Sequence, residues 1–85
     1  FTVMVTVGLS RHLKTAQQQF ERAMSLAPQV RECHNVSGQI EYLLRVEVSD
    51  LEAYKQFHTD ILGTVPQVSS ITSYIVMGSP KDERR

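Results

Sequence analysis

Three residues at one turn have the types and spacing for ligand chemistry: Gly38, Gln39 and Glu41. The Glu41 carboxylate can accept charge-assisted hydrogen bonds from an ammonium group. Gly38 has no side chain, so backbone N–H groups there can approach an anion closely. Gln39 brings a donor and an acceptor to the same turn. Plainer readings stand beside these. Gly38 also reads as a simple turn residue, and Glu41 as a solvated or cross-strand charge facing Arg45, Arg31 or a cation on a partner chain. Cys33 and His34 are neighbours, but adjacent strand positions point to opposite faces, which argues against a nucleophilic dyad. Cys33 reads instead as a small interior or interface hydrophobe. His12, His34 and His58 are scattered without zinc-ligand spacing, so no metal or cofactor is expected.

The elements that must position the turn follow from periodicity. Phe1 to Leu9 alternates, with Phe1, Val3, Val5, Val7 and Leu9 on one side, and predicts a strand. Ser10 is the expected N-cap of a helix whose stripe is Leu13, Ala16, Phe20, Ala23, Met24 and Ala27. Pro28 ends it. Val30 to Ser37 is a second strand, Gly38-Gln39 a tight connection, and Ile40 to Val48 the clearest strand in the chain. Ser49-Asp50-Leu51-Glu52 fits a capping box with Ser49 as N-cap. Leu51, Tyr54, Phe57, Ile61 and Leu62 then make a second amphipathic helix, stopped at Gly63. Pro66 leads into a last strand, Val68 to Met77. The order is β-α-β-β-α-β, an α+β ferredoxin-like sandwich with two helices on one face of a four-stranded antiparallel sheet.

The other face is expected to carry Met4, Cys33, Leu43, Tyr74 and Val76 among threonines and charges. A half-apolar exposed sheet marks an interface, so two sheets should pack face to face in a two-fold homodimer. Size points the same way. Eighty-five residues make one small domain, and at that size folding buries only roughly 60–65% of the unfolded surface. With a single cysteine no intrachain disulfide can help. Residues 1–78 are expected to form the domain and 79–85 a disordered charged tail.

Formal net charge is zero, and the only cationic cluster, Lys81 to Arg85, is offset by Asp82 and Glu83. That excludes the basic face of a chain that binds nucleic acid by itself. No apolar run approaches the ~20 residues of a membrane span, and with no basic n-region before an apolar run no signal peptide is expected. One thiol fits a reducing compartment, and a cytoplasmic location is expected. The chain begins at Phe1, already inside a strand pattern, which predicts that it is a piece of a longer protein.

The stretch Pro28-Gln29-Val30-Arg31-Glu32-Cys33-His34-Asn35-Val36-Ser37-Gly38-Gln39-Ile40-Glu41-Tyr42-Leu43-Leu44-Arg45-Val46 resembles the effector-binding domain of the Lrp/AsnC family, whose pattern there is P-x-V-x-E-C-x-x-V-x-G-x-x-D-Y-L-L-x-V. Asp50-Leu51-Glu52-Ala53-Tyr54 with Phe57, Pro66 with Val68, and Thr72-Ser73 are similar too, so the resemblance covers nearly the whole chain. It implies a C-terminal domain of a bacterial or archaeal transcription regulator. Such domains dimerise through their sheets, associate further, often into octamers, and bind small effectors such as amino acids between dimers. DNA would be bound only by an upstream helix-turn-helix domain, which these residues do not contain. The resemblance places the effector at Gly38, Gln39 and Glu41, with Thr72 and Ser73 from the last strand. Where the family has aspartate this chain has Glu41, whose extra methylene moves the carboxylate by ~1.5 Å.

Two classes of function follow. The first is a regulatory domain that assembles and binds an effector, probed by oligomeric state. The second is a stand-alone dimeric α+β barrel protein, either a ligand sensor without DNA binding or a small monooxygenase-like enzyme. The enzyme needs a deep pocket between sheet and helices, yet Val3, Val5, Val7, Tyr42, Leu44 and Val46 read as filled core, so no enzyme is expected.

Overall fold

A computed structural model describes residues 1–10 and 13–84. His12 and Arg85, named above among the histidines and in the tail, lie outside the described residues. The chain runs β1 (Thr2–Leu9), α1 (Lys14–Leu26), β2 (Val30–Asn35), β3 (Tyr42–Glu47), α2 (Leu51–Asp60), a 3-10 turn (Leu62–Thr64) and β4 (Val68–Ile75). The sheet order is β2-β3-β1-β4, and every pairing is antiparallel. This is the βαββαβ sandwich that the periodicity predicts.

Alternation explains the core. Val3, Val5 and Val7 on β1 and Tyr42, Leu44 and Val46 on β3 are all fully buried beneath the helices. The register pairs them directly, Val3 with Val46, Val5 with Leu44 and Val7 with Tyr42. Helix α1 lays Ala16, Phe20 and Met24 on this surface; helix α2 adds Tyr54 and Phe57. Leu62, expected in α2, is instead buried from the 3-10 turn that follows it.

The helix starts differ from the expectation. Ser10 does not cap α1; its hydroxyl donates to the Gln67 carbonyl at 3.2 Å. Leu13 holds the N-cap position, without a side-chain bond, and is 53% exposed rather than in the core stripe. At α2 the cap moves by one residue: Asp50, not Ser49, accepts the Ala53 N–H at 2.8 Å. Leu51 thereby falls on the outward side, half exposed. The last strand ends at Ile75, and Met77 is almost wholly exposed. The hairpin is wider than a tight two-residue turn. Its ladder ends at Asn35 and Tyr42, with one more bond from Val36 N–H to the Glu41 carbonyl. Gly38 sits in that loop at φ +136°, a conformation that suits only glycine.

The open face corrects one residue. Cys33 pairs with Leu44 and therefore lies on the helix side, not with the expected interface set. The cause is a bulge: the register shifts between Val30 and Glu32, so Arg31 is an extra residue and the alternation after it is inverted. Glu32 and His34 take the open face instead, opposite Arg45 and Leu43. Met4 is paired with Arg45 on one side and Tyr74 on the other. Met4, Leu43 and Tyr74 thus share the open face, and Val76 continues the Tyr74 parity, its N–H bonded to the Thr2 carbonyl. Residues 79–84, expected to be disordered, form no helix or strand but reach that face, where Arg84 Nη1 contacts Glu32 Oε2 at 3.2 Å.

Candidate functional site

Strand β3 leaves the ladder at Glu41, and this fixes the geometry of the hairpin mouth. The Glu41 N–H bonds the Val7 carbonyl at 3.1 Å. Two residues on, Leu9 N–H points to the same side of β1, where β3 no longer supplies a carbonyl. The Glu41 carboxylate takes that donor instead, Oε1 accepting from Leu9 N at 2.7 Å. The carbonyl of Glu41 is engaged too, by the Asn35 amide at 3.0 Å. Glu41 is thus an organising residue of the sheet end. Arg45 and Arg31, considered above as its cross-strand partners, pair with Glu32 and Glu47.

Gly8 supplies the room. A Cβ on Gly8 would stand 2.4 Å from Ser70 Oγ and 3.7 Å from Glu41 Oε1. The missing side chain therefore lets Ser70 Oγ lie against the Gly8 backbone, with the Glu41 carboxylate beside it. Ser70 is paired with Gly8, and Thr72 with Thr6, so both β4 hydroxyls face the open side of the sheet. Ser73 does not join them, contrary to the expectation. It pairs with Val5, faces the helices and bonds the Tyr54 hydroxyl at 2.5 Å. Gly38 and Gln39 are exposed in the loop beyond. The structure thus brings Glu41 together with Gly8 and Ser70, which sequence reasoning missed. The available signal was Gly8 itself, which interrupts the Thr2-Met4-Thr6 series.

An ion network occupies the open face of the same sheet. Arg45, only 16% exposed in its side chain, holds Glu32 Oε2 at 2.5 Å and also Glu47 Oε2. Arg31 reaches Glu47 at 3.5 Å. His34 Nε2 lies 2.9 Å from Glu32 Oε1. The His34 bond, then the Arg45 bond, lower the Glu32 pKa from 4.5 to about 2. A depressed carboxylate pKa means a contribution present above pH 4.5 and lost as pH falls towards 2. Unfolding followed by urea at stepped pH should therefore show a decline across that window, and Glu32→Gln should flatten it. An unchanged slope in the variant would remove Glu32 from the account.

Elsewhere the chemistry is quiet. Burial, reinforced by the Glu21 charge, pushes the Cys33 thiol up to about 11, which keeps it a neutral, poor nucleophile. Among the described residues no group of His, Cys, Asp and Glu could hold a metal ion. None of their helices is long and apolar enough to cross a membrane.

Comparison with known proteins gives these positions a context. The family model of the Lrp/AsnC ligand binding domain matches residues 2–85. The leucine-responsive regulatory protein of Escherichia coli K12 is 34% identical over 83 residues, 98% of this chain. The chain spans about half the length of the curated relatives it matches, 51% in that case. Among solved structures, a transcriptional regulator from Neisseria meningitidis in complex with L-Met superposes with a TM-score of 0.87 at 26% identity, over 95% of this chain and 52% of that one. An AsnC family transcriptional regulator from Agrobacterium tumefaciens gives 0.85 at 30% identity, again over 95% and 52%.

Proposed function

The chain belongs to the Lrp/AsnC ligand-binding domain family, and from that premise we propose that it is the effector-binding and assembly domain of a transcription regulator, taking an amino acid at the hairpin mouth. The observation that carries the site is the Glu41 carboxylate held at the sheet end by Leu9 N–H, close to Gly8 and Ser70 Oγ. A carboxylate there accepts the ligand's ammonium. Hydroxyls of Ser70 and Thr72 and the backbone of the Gly38–Gln39 loop serve as donors to its carboxylate. The L-Met complex of the Neisseria relative supports this ligand class.

Assembly enters through the open face, where Met4, Leu43, Tyr74 and Val76 cluster. Two copies packed through these faces form the dimer, and dimers associate further. A ligand shifts assembly only if it binds one state better than another. A site completed by a neighbouring dimer meets that condition. DNA contact then belongs to a helix-turn-helix part of the longer protein, working in the cytoplasm. The fully buried positions Val3, Val5, Val7, Leu44 and Val46 fill the space between the central strands and the helices, which favours a sensor over an enzyme.

Calorimetric titration with the twenty amino acids tests the site, with two substitutions separating its roles. Glu41→Gln keeps an oxygen for Leu9 N–H and should fold normally while binding its best amino acid about tenfold or more weakly. Glu41→Ala also strands the buried Leu9 N–H and should lower unfolding free energy by about 1–3 kcal/mol. Unchanged affinity in Glu41→Gln would remove Glu41 from the site.

A further inference from the structure

A second groove, of about 430 Å³, lies on the opposite side of the sheet, between α1 and the edge strand β2. Met24 and Cys33 give it an apolar floor, and Glu21, Ser25, Asn35 and Tyr42 give it polar walls. Its hydrogen-bond inventory is one-sided. Tyr42 is fully buried, and its hydroxyl proton goes to Glu21 Oε2 at 2.5 Å. The Ser25 hydroxyl donates to the Arg22 carbonyl at 2.7 Å. The Asn35 amide donates to the Glu41 carbonyl at 3.0 Å. Of the side-chain donors on these walls, the Tyr42 and Ser25 hydroxyls and one Asn35 N–H are spent inside the chain, which leaves the second Asn35 N–H and the weak thiol of Cys33. The acceptors left over are more numerous: the second oxygen of Glu21, the Asn35 carbonyl oxygen and the lone pairs of Ser25.

The charges are one-sided as well. Arg31 and Glu32 form the rim, but each is paired towards the open face, Arg31 with Glu47 at 3.5 Å and Glu32 with Arg45 at 2.5 Å. Glu21 forms no ion pair among the described residues and is the one carboxylate on the walls. It accepts from the buried Tyr42 hydroxyl through one oxygen and lines the groove together with Met24 and Cys33. A primary ammonium carries three donors and no acceptor, and a short alkyl chain matches Met24 and Cys33.

We propose that the α1–β2 groove is a binding site for primary alkylammonium ions, with Glu21 as their anionic acceptor, separate from the hairpin site. A zwitterionic amino acid fits less well, because beside the Glu21 charge the walls keep only one Asn35 N–H for its carboxylate. The site requires neither the effector reading nor the dimer, since Glu21, Met24, Ser25, Cys33, Asn35 and Tyr42 all belong to the helix side of one chain.

The test uses the whole chain, isotope-labelled for amide NMR, titrated with hexylammonium chloride. Saturable shifts are expected at Glu21, Ser25, Cys33 and Asn35, without matching shifts at Gly38 and Gln39. Hexanol, the neutral counterpart, should bind at least about tenfold more weakly, as should the chain with Glu21→Gln. That substitution keeps an oxygen for the Tyr42 hydroxyl, so the fold is retained, which circular dichroism checks. Norleucine, which adds a carboxylate beside the ammonium, should bind more weakly than the amine. The proposal fails if no saturable shift occurs up to tens of millimolar, if hexanol shifts the same residues equally, or if Glu21→Gln binds the amine unchanged. It also fails if the shifts centre on the Gly38 loop.

Discussion

Phe20→Ala is expected to lower the free energy of unfolding by about 3–5 kcal/mol, more than any surface change in the molecule. Phe20 is fully buried, with its ring centroid 4.6 Å from that of Tyr42. Truncation removes the transfer energy of the ring and leaves a hole that rigid β3 cannot fill. Two further features enlarge the effect. Helix α1 lacks local support: no side chain caps it, its first turn has no acidic residue and its last turn no basic one. It is held by packing, and Phe20 is the largest of its buried side chains. Loss of the ring also frees Glu21, the next residue, from the Tyr42 hydroxyl. Helix α2 is better supported, with the Asp50 cap, Glu52 in its first turn and His58 in its last. Small domains have only about 5–15 kcal/mol in hand. Urea unfolding should therefore show the midpoint collapsing at unchanged slope, and hydrogen exchange should accelerate in α1 before α2. A loss below about 1 kcal/mol would show that α1 packs less tightly than its buried stripe implies.

That the α1 stripe could be read from Ala16, Phe20 and Met24 shows where the sequence is explicit. Core strands carry their pattern openly, because period two with valine on one side leaves a single choice of face. The β1 and β3 faces follow from that alone. The bulge at Arg31 is different. It is a backbone event with no residue signature of its own, and it inverts every later position of β2, which is why Cys33 changes sides. Caps were misplaced for a related reason: Ser10 and Ser49 are good caps by type, but Leu13 and Asp50 hold the extended geometry that starts each helix. Thr72 and Ser73 cannot share a site because neighbours on a strand diverge, a rule that was available from the start. At the candidate site the sequence displayed the loop and its carboxylate. It did not display Gly8 and Ser70, since only the β1–β4 register sets a serine 62 positions away against the gap a glycine leaves.

Arg45→Met should raise the dimer dissociation constant roughly 100-fold or more, because it takes from two carboxylates in the interface the least exposed of their cationic partners. The side chain lies at the centre of the open face, already mostly covered within one chain, with Glu32 on one side and Glu47 on the other. Face-to-face packing of two sheets would take this network out of water. A desolvated charge that loses its partner is costly, whereas an exposed ion pair contributes almost nothing, about 0–1 kcal/mol. The same substitution therefore has opposite consequences under the two arrangements. If the open face is the interface, sedimentation velocity on Arg45→Met shows the dimer giving way to monomer at concentrations where the parent chain is assembled. If the open face stays in water, the mass distribution is unchanged and the interface lies elsewhere. A combined replacement decides whether charge or shape is responsible. Glu32→Gln and Glu47→Gln together with Arg45→Met remove those charges while keeping the volume, and a neutral set of that kind is often as stable as the ionic one. Recovery of the dimer in the triple variant would assign the loss in Arg45→Met to the carboxylates deprived of the guanidinium. Failure to recover would assign it to the lost guanidinium contacts across the interface itself.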